Sequence, residues 1–168
     1  EGSRRYIAMT CHTDDAGAEK AYLQFVEQIE PELKPRQFRL EQFYLAHPAR
    51  GLMPAGRYAV FDRQTEVHVG LYRDENVPLE TDEARVGQQY QKLSGSLTVN
   101  FRGEERTLTQ MGRLLEEPDR SVRQEAWELV ARRRLQEQDA FDSQFDELLR
   151  LRHRRCQVRA EVFGFIDF

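Results

Sequence analysis

Apolar residues recur at helical spacing along most of this chain, and this periodicity restricts the folds open to it. One series runs through the N-terminal part: Ala18, Ala21, Tyr22, Phe25, Val26, Ile29 and Leu33. Spacings of three and four residues place such side chains on one face of a helix, which can pack against a core. Two later stripes, Val122–Val130 and Phe141–Leu149, are not sustained heptads, which argues against a coiled coil. The sequence therefore predicts a mainly α, multi-helix segment.

One segment departs from this helical period. Leu97, Val99 and Phe101 alternate with polar residues, which is typical of a half-buried strand. Residues 102–104 supply a turn, and residues 106–108 can return as a second strand. Thr107, followed three residues later by Gln110, forms a capping box that should begin a short helix. We therefore expect one small β-hairpin near residues 96–108.

Prolines set the expected boundaries in the N-terminal half. Pro31 should kink or divide the first long helix, because proline lacks a backbone donor and clashes with the preceding turn. Pro35 should end that helix and begin a second one that reaches Ala46. Residues 47–56 contain two prolines and two glycines and are predicted as a loop. Residues 57–73 fit either a helix or a strand, and the helix is favoured.

Polar side chains that can accept hydrogen bonds from backbone N–H groups mark other helix starts. Residues 13–15, Thr81 and Asp119 stand at such positions and are predicted to cap the helices that they precede. Residues 136–139 are polar and separate the last two apolar stripes, which predicts two helices or one kinked helix. Trp127 adjoins the first of these stripes, and we expect it to pack in the core.

Composition excludes several classes of protein. The net charge of −4 argues against a nucleic-acid binder, because such proteins are usually basic. No apolar run approaches the roughly 20 residues of a membrane-spanning helix, and residues 1–5 lack the apolar stretch of a signal peptide. Cys11 and Cys156 have no metal-type spacing and are expected to be free thiols. We therefore expect a cytoplasmic protein without membrane or nucleic-acid partners. Arginines of the last third are interpreted as a solvated helix face: Arg132, Arg133, Arg134, Arg150, Arg152, Arg154, Arg155 and Arg159.

Complete catalytic motifs are absent from the sequence. A zinc hydrolase typically carries two histidines one helical turn apart with a glutamate base directly after the first, as in His-Glu-x-x-His. His12, His47, His68 and His153 provide no such pair, and none precedes a glutamate. Neighbouring Cys11 and His12 are not expected to meet as a nucleophile and its base. The sequence has neither a Gly-x-Ser-x-Gly elbow nor a glycine-rich phosphate loop. No catalytic, cofactor-binding or metal-ligating residue is therefore predicted in this chain.

Several strings, taken in order, resemble one known family. They are Cys11–Asp14, Ile29–Leu33, Glu75–Leu79, Gln89–Gly95, Gly103–Glu105, Pro118–Trp127 and Phe145–Arg152. Their order and spacing are similar to the region upstream of the catalytic core in M3-family zinc oligoendopeptidases, the oligoendopeptidase F group. The resemblance covers nearly the whole chain. It is poor over residues 155–163 and returns at Phe165-Ile166-Asp167-Phe168.

This resemblance implies an almost entirely helical fold with a small β element, built around a deep peptide-binding channel. In the family, zinc is held by a His-Glu-x-x-His helix and a later Glu, none of which can be placed in this chain. Residues 1–168 are accordingly expected to be a single partial domain: an N-terminal helical lobe without the catalytic zinc domain, inactive alone and binding no zinc. The implied partners are short peptides, through the full-length protein, and the catalytic domain of the same polypeptide. The alternative is a free-standing helical interaction module.

Overall fold

The computed structural model of the chain describes the backbone of residues 1–163 and the side chains of residues 1–54 and 56–159. Its helices are α1 (Gly2–Cys11), α2 (Ala16–Gln24), α3 (Glu30–Ala46), α4 (Ala55–Leu71), α5 (Asn76–Ser96), α6 (Leu108–Gly112), α7 (Arg120–Gln136) and α8 (Gln138–Phe163). A π-helical turn occupies Phe25–Ile29, and 3-10 turns occupy Pro48–Leu52 and Arg113–Glu116. Strands β1 (Thr98–Phe101) and β2 (Glu104–Thr107) pair antiparallel. The expected mainly α fold with one small hairpin is confirmed. Phe165-Ile166-Asp167-Phe168 lies outside the described residues.

The chain forms two compact units, each built from two separate stretches of sequence. Residues 1–22 and 85–149 form the first, which we call the hairpin unit because it contains β1 and β2. Residues 23–84 and 150–163 form the second, which we call the groove unit because a groove lies between its helices. Neither unit is continuous in sequence, so each depends on contacts between distant parts of the chain.

The hairpin forms where the sequence predicts it, but its turn is Arg102-Gly103 rather than residues 102–104, and its second strand is Glu104–Thr107 rather than residues 106–108. Phe101 pairs with Glu104 at the closed end and Thr98 pairs with Thr107 at the open end. Both residues of the turn, Arg102 (φ 53°) and Gly103 (φ 90°), have positive φ, as a two-residue type I′ turn requires. Immediately after β2, the Thr107 side chain accepts from the Gln110 backbone N–H, and the Gln110 side chain accepts from the Thr107 N–H. The expected capping box therefore begins α6.

The core of the hairpin unit forms where one face of β1 meets α6 and α7. Val99 and Phe101 are buried together with Met111 and Ala126, and the last two are completely inaccessible to solvent. Alternation along the strand explains this burial, because every second side chain points to the same face. Partly buried apolar side chains surround this cluster: Leu108, Leu114, Val122, Leu129 and Val130.

The prediction that Pro35 ends a helix is wrong, because α3 continues through it to Ala46. The division occurs earlier, at the π-helical turn, where the Glu30 N–H donates to the Phe25 carbonyl. Pro31 is then the second residue of α3, a position at which its missing N–H is tolerated. Tertiary packing holds the rest of the helix, since the Tyr44 ring meets the Phe61 ring of α4 edge-on at 5.1 Å. The predicted helix over residues 57–73 is α4.

Helix caps agree with the sequence at two positions and differ at a third. Asp15 caps α2 by accepting from the N–H groups of Gly17 and Ala18, and Asp119 caps α7 by accepting from Ser121. Thr81 does not cap a helix, because α5 already begins at Asn76. The Thr81 hydroxyl instead donates to the Val77 carbonyl one turn earlier, as threonines within helices commonly do.

Trp127 is the clearest error in the expected core. The sequence predicts that it packs, yet 63% of the residue is exposed. The buried stripe of α7 runs through Val122, Ala126 and Leu129, and a residue that comes directly after Ala126 is rotated by about 100° around the helix. Trp127 therefore falls beyond the edge of the stripe.

No described helix is both long enough and apolar enough to cross a membrane.

Candidate functional site

The residues considered for metal binding or nucleophilic chemistry do not form a site. His47 Nδ1 accepts from the Ala49 N–H, and His153 Nε2 lies 3.0 Å from Gln157 Nε2. Cys11 and Cys156 are exposed free thiols. Over the part of the chain that the structure describes, no group of three His, Cys, Asp or Glu side chains could hold a metal ion.

The groove unit contains a concave site of about 400 Å³, between α3, the C-terminal end of α4, α5 and α8. Its lining combines aromatic and aliphatic side chains with both signs of charge. The apolar residues are Phe25, Leu33, Phe38, Leu71 and Tyr72. The polar ones are Glu30, Lys34, Gln37, Glu41, His68, Arg73, Glu80 and Arg159. The volume of this groove lies in the range of small-ligand sites.

An aromatic pair forms part of the apolar wall. The rings of Phe38 and Tyr72 stack with their centroids 4.2 Å apart and their planes 20° from parallel. The Tyr72 hydroxyl donates to Asp74 Oδ1 at 2.7 Å. Burial, and then this hydrogen bond, raise the pKa of Tyr72 well above its ordinary value of 10.0. Tyr72 therefore remains neutral and contributes an apolar ring to the groove.

His68 and Glu41 form a pair on the same lining. The Nδ1 atom of His68 lies 3.1 Å from Oε1 and 3.0 Å from Oε2 of Glu41. The Glu41 side chain is only 19% exposed, whereas that of His68 is 62% exposed. On the groove side of α3, the Glu41 carboxylate is thus already paired with the His68 imidazole.

A network of carboxylates and cations lies beside the groove. Glu80 accepts from Lys34 Nζ at 2.8 Å and from Arg155 Nη2 at 2.6 Å. Glu83 accepts from Arg152 Nε at 2.7 Å and from Arg155 Nη1. Burial alone would raise the pKa of the Glu83 carboxyl, but the hydrogen bonds from Arg152 and Arg155 outweigh it and hold that pKa below its ordinary value. The Glu83 carboxylate therefore stays ionised at neutral pH.

These contacts correct the interpretation of the arginine-rich last third as a solvated helix face. Arg155 and Arg159 have side chains only 21% and 33% exposed, and both face carboxylates of α5. Arg132 of α7 does remain largely exposed. The signal that could have found the network is the pair of glutamates at positions 80 and 83, which share one helix face.

A second polar cluster fastens the loop that precedes α4. Arg50 Nε donates to Asp62 Oδ1 at 2.8 Å, and its Nη2 lies 2.5 Å from Glu66 Oε1. The Tyr44 hydroxyl donates to the same Asp62 oxygen at 2.7 Å. The hydrogen bond from Tyr44, and next that from Arg50, lower the pKa of Asp62. Residues 48–52 are thereby tied to α3 and α4.

Large apolar side chains are exposed on both units. In the groove unit they include Leu40, Phe43, Leu52, Val60 and Phe61, and in the hairpin unit Trp127, Leu135, Phe145 and Leu149. Single exposed apolar residues are ordinary, but groups of them are typical of surfaces that bind other proteins or segments.

Comparisons with known proteins are confined to solved structures, since no protein-family model and no curated protein sequence matches the chain. A Bacillus anthracis str. Ames protein described as an oligoendopeptidase F is 26% identical, with a TM-score of 0.84 over 98% of this chain. A second protein described as oligoendopeptidase F is 28% identical, with a TM-score of 0.78 over 96% of this chain. PZ peptidase A, solved with an inhibitor, is 25% identical, with a TM-score of 0.82 over 98% of this chain.

The structural match covers nearly all of this chain but less than a third of each of the three solved structures. This chain spans 29%, 28% and 31% of the length of those three structures, in the same order. The structural match and the order of motifs along the sequence indicate the same group of proteins. The chain is thus similar to one segment of oligoendopeptidase F structures, and this similarity confirms the resemblance indicated by its sequence.

Proposed function

We propose that this chain is the N-terminal, non-catalytic helical portion of a cytoplasmic zinc oligoendopeptidase that hydrolyses short peptides. The observation that carries the proposal is the structural match, in which 98% of this chain superimposes on less than a third of an oligoendopeptidase F structure. The motif order of the sequence supports the N-terminal position, because it is similar to the region upstream of the family's catalytic core.

The role proposed for the chain is structural. It forms one wall of the channel that admits short unfolded peptides, and it packs against the catalytic domain of the same polypeptide. Exposed apolar side chains such as Phe43, Phe61 and Trp127 support this role, because packing against another domain would remove them from water.

Zinc does not fit the residues that the structure describes. Among the side chains that the structure describes, no three potential ligands come together. A catalytic zinc usually needs three protein ligands and one open position. In the proposed whole protein the metal is therefore held by residues beyond this segment, and no step of the hydrolysis is assigned to the described residues.

A peptide-cleavage assay with and without a chelator tests the proposal. The full-length polypeptide should cut short unfolded peptides, lose that activity on zinc removal and regain it when zinc is restored. The 168-residue chain should be inactive in the same assay. Failure of the zinc-loaded full-length polypeptide to cleave short peptides would refute the proposal and favour the alternative of a free-standing helical interaction module.

A further inference from the structure

The positive charge of Arg159, beside the groove, is only partly neutralised by the carboxylates around it. Among the described residues, the ion pairs of Glu30, Glu80 and Glu83 link these three carboxylates to four cations. The cations are Lys34, Arg152, Arg155 and Arg159. The network therefore holds one more positive charge than negative.

Arg159 is the cation with the weakest pairing. Its Nη2 atom lies 3.9 Å from Glu80 Oε1, beyond hydrogen-bond distance, whereas Arg155 reaches the same oxygen at 2.6 Å. The other Glu80 oxygen is taken by Lys34. The Nε atoms of Arg155 and Arg159 are both buried without a hydrogen-bond partner. The Nη atoms of Arg155 nevertheless donate to Glu83 and Glu80, whereas the ion pair of Arg159 with Glu80 is too long for a hydrogen bond. The Arg159 side chain is 33% exposed, so its guanidinium keeps donors that an incoming acceptor can use.

Among the cations of the network, Lys34 and Arg159 line the groove, and Lys34 is already hydrogen-bonded to Glu80. The groove places the Arg159 side chain together with Phe25, Leu33, Leu71 and Tyr72. The other carboxylate of the lining, Glu41, is engaged by His68. A guanidinium presents a planar set of donors that matches a carboxylate, and an apolar wall beside it favours a ligand with an apolar body.

We propose that this groove binds an apolar monocarboxylate, whose carboxylate is held by Arg159 and whose apolar body lies against the aromatic and aliphatic wall. A peptide C-terminus with a bulky apolar side chain and a free hydrophobic acid share this chemistry. The inference does not depend on the peptidase proposal, because binding is measured on the chain alone and involves no cleavage.

Calorimetric titration of the 168-residue chain tests the charge requirement. The probes are 3-phenylpropanoate and its uncharged counterpart, 3-phenylpropanamide. The carboxylate should bind roughly tenfold more tightly, as expected for one charge-assisted, partly buried contact. Equal binding of the two probes, or binding of neither, would overturn the proposal.

A third probe, N-acetyl-alanyl-phenylalanine with a free carboxylate, distinguishes a peptide C-terminus from a free hydrophobic acid as the ligand. Tighter binding than 3-phenylpropanoate identifies a peptide C-terminus, and weaker binding identifies a free acid.

Substitutions in α8 identify the binding group. Arg159→Gln should abolish the preference for the carboxylate probe, while Arg159→Lys should retain part of it. Arg154→Gln is the matched control, because Arg154 lies on the same helix but is exposed and does not line the groove. It should keep the full preference. A folded Arg159→Gln chain that still prefers the carboxylate would contradict the assignment, and circular dichroism establishes that each variant is folded.

Discussion

The two units of this chain are stabilised by different means. The hairpin unit buries a larger apolar set among the described residues: Met9, Tyr22, Leu97, Val99, Phe101, Met111 and Ala126. The groove unit, of similar length, buries Val26, Val77, Leu79 and Leu151. The groove unit instead has partly buried ion pairs between its helices, centred on Glu80 and Glu83.

This difference has physical consequences. Apolar burial is non-directional and nearly independent of salt, whereas ion pairs depend on geometry, on protonation and on ionic strength. A unit held by ion pairs must also satisfy each buried charge, since an unmatched one is costly. The groove unit accordingly contains the charged groove and the partly matched Arg159, while the hairpin unit has a closed core.

The largest effect is expected from truncation of the hairpin core. Phe101→Ala should lower the free energy of unfolding by about 3–5 kcal/mol, because it removes a ring that is 95% buried against Met111 and Ala126. Urea unfolding followed by circular dichroism measures this loss. Phe145→Ala is the control, since Phe145 is 59% exposed and its truncation should change stability by no more than about 0.5 kcal/mol. Similar losses in both variants would contradict the apolar core.

An intermediate effect is expected from the network of the groove unit. Glu83→Gln should lower the free energy of unfolding by about 1–3 kcal/mol at neutral pH, because Arg155, only 21% exposed, would face a neutral amide. The same urea titration measures it. Arg152→Gln removes a cation that is 59% exposed and should cost about 1 kcal/mol or less. An Arg152→Gln loss that exceeds the Glu83→Gln loss would contradict the proposed arrangement.

The loss of stability caused by Glu83→Gln should also depend on pH, which tests the contribution of the ion pairs to the groove unit. The folded chain holds the pKa of Glu83 below its ordinary value of 4.5, so the unfolded chain takes up the proton first as pH falls. The stabilisation is fully present above that ordinary value and is lost as pH falls through the lower, folded pKa. The stability gap between the unsubstituted chain and Glu83→Gln should therefore narrow in acid. A gap that widens below pH 4.5 would reverse the assigned sign.

The smallest effect concerns a close approach within the hairpin unit. A Cβ atom on Gly95 would lie 2.7 Å from both Cγ2 and Oγ1 of Thr13. Gly95→Ala should therefore destabilise the chain by about 1 kcal/mol despite the better helix propensity of alanine. In a Thr13→Ala background, which removes both atoms, the same substitution should be close to neutral. Additive effects in the double-mutant cycle would show that the two residues do not meet.

Local patterns predicted the parts of this fold that depend on neighbouring residues. The β-hairpin was indicated by strict alternation at Leu97, Val99 and Phe101, and the start of α6 by the Thr107 and Gln110 pair. Asp119 indicated the start of α7, because its side chain can accept a hydrogen bond from a backbone N–H group of the first turn. These features rest on contacts within a few residues, which one sequence displays directly.

Features that depend on tertiary packing could not be predicted in this way. Pro35 would end an isolated helix, but packing of α3 against α4 and the earlier π-helical turn allow α3 to continue. The groove was missed because it unites Phe25, Tyr72 and Arg159, which are far apart in sequence. No local spacing relates such residues, and only the folded chain brings them together.

Amide hydrogen exchange at low and high salt tests the contrast between the two units most directly. Raising sodium chloride from about 0.1 M to 1 M shortens the Debye length from about 10 Å to about 3 Å. Protection of the Leu79 and Leu151 amides, beside the ion-pair network, should fall relative to that of Val99 and Phe101 in the hairpin. Equal salt dependence at both sites, or a larger loss in the hairpin, would contradict the account.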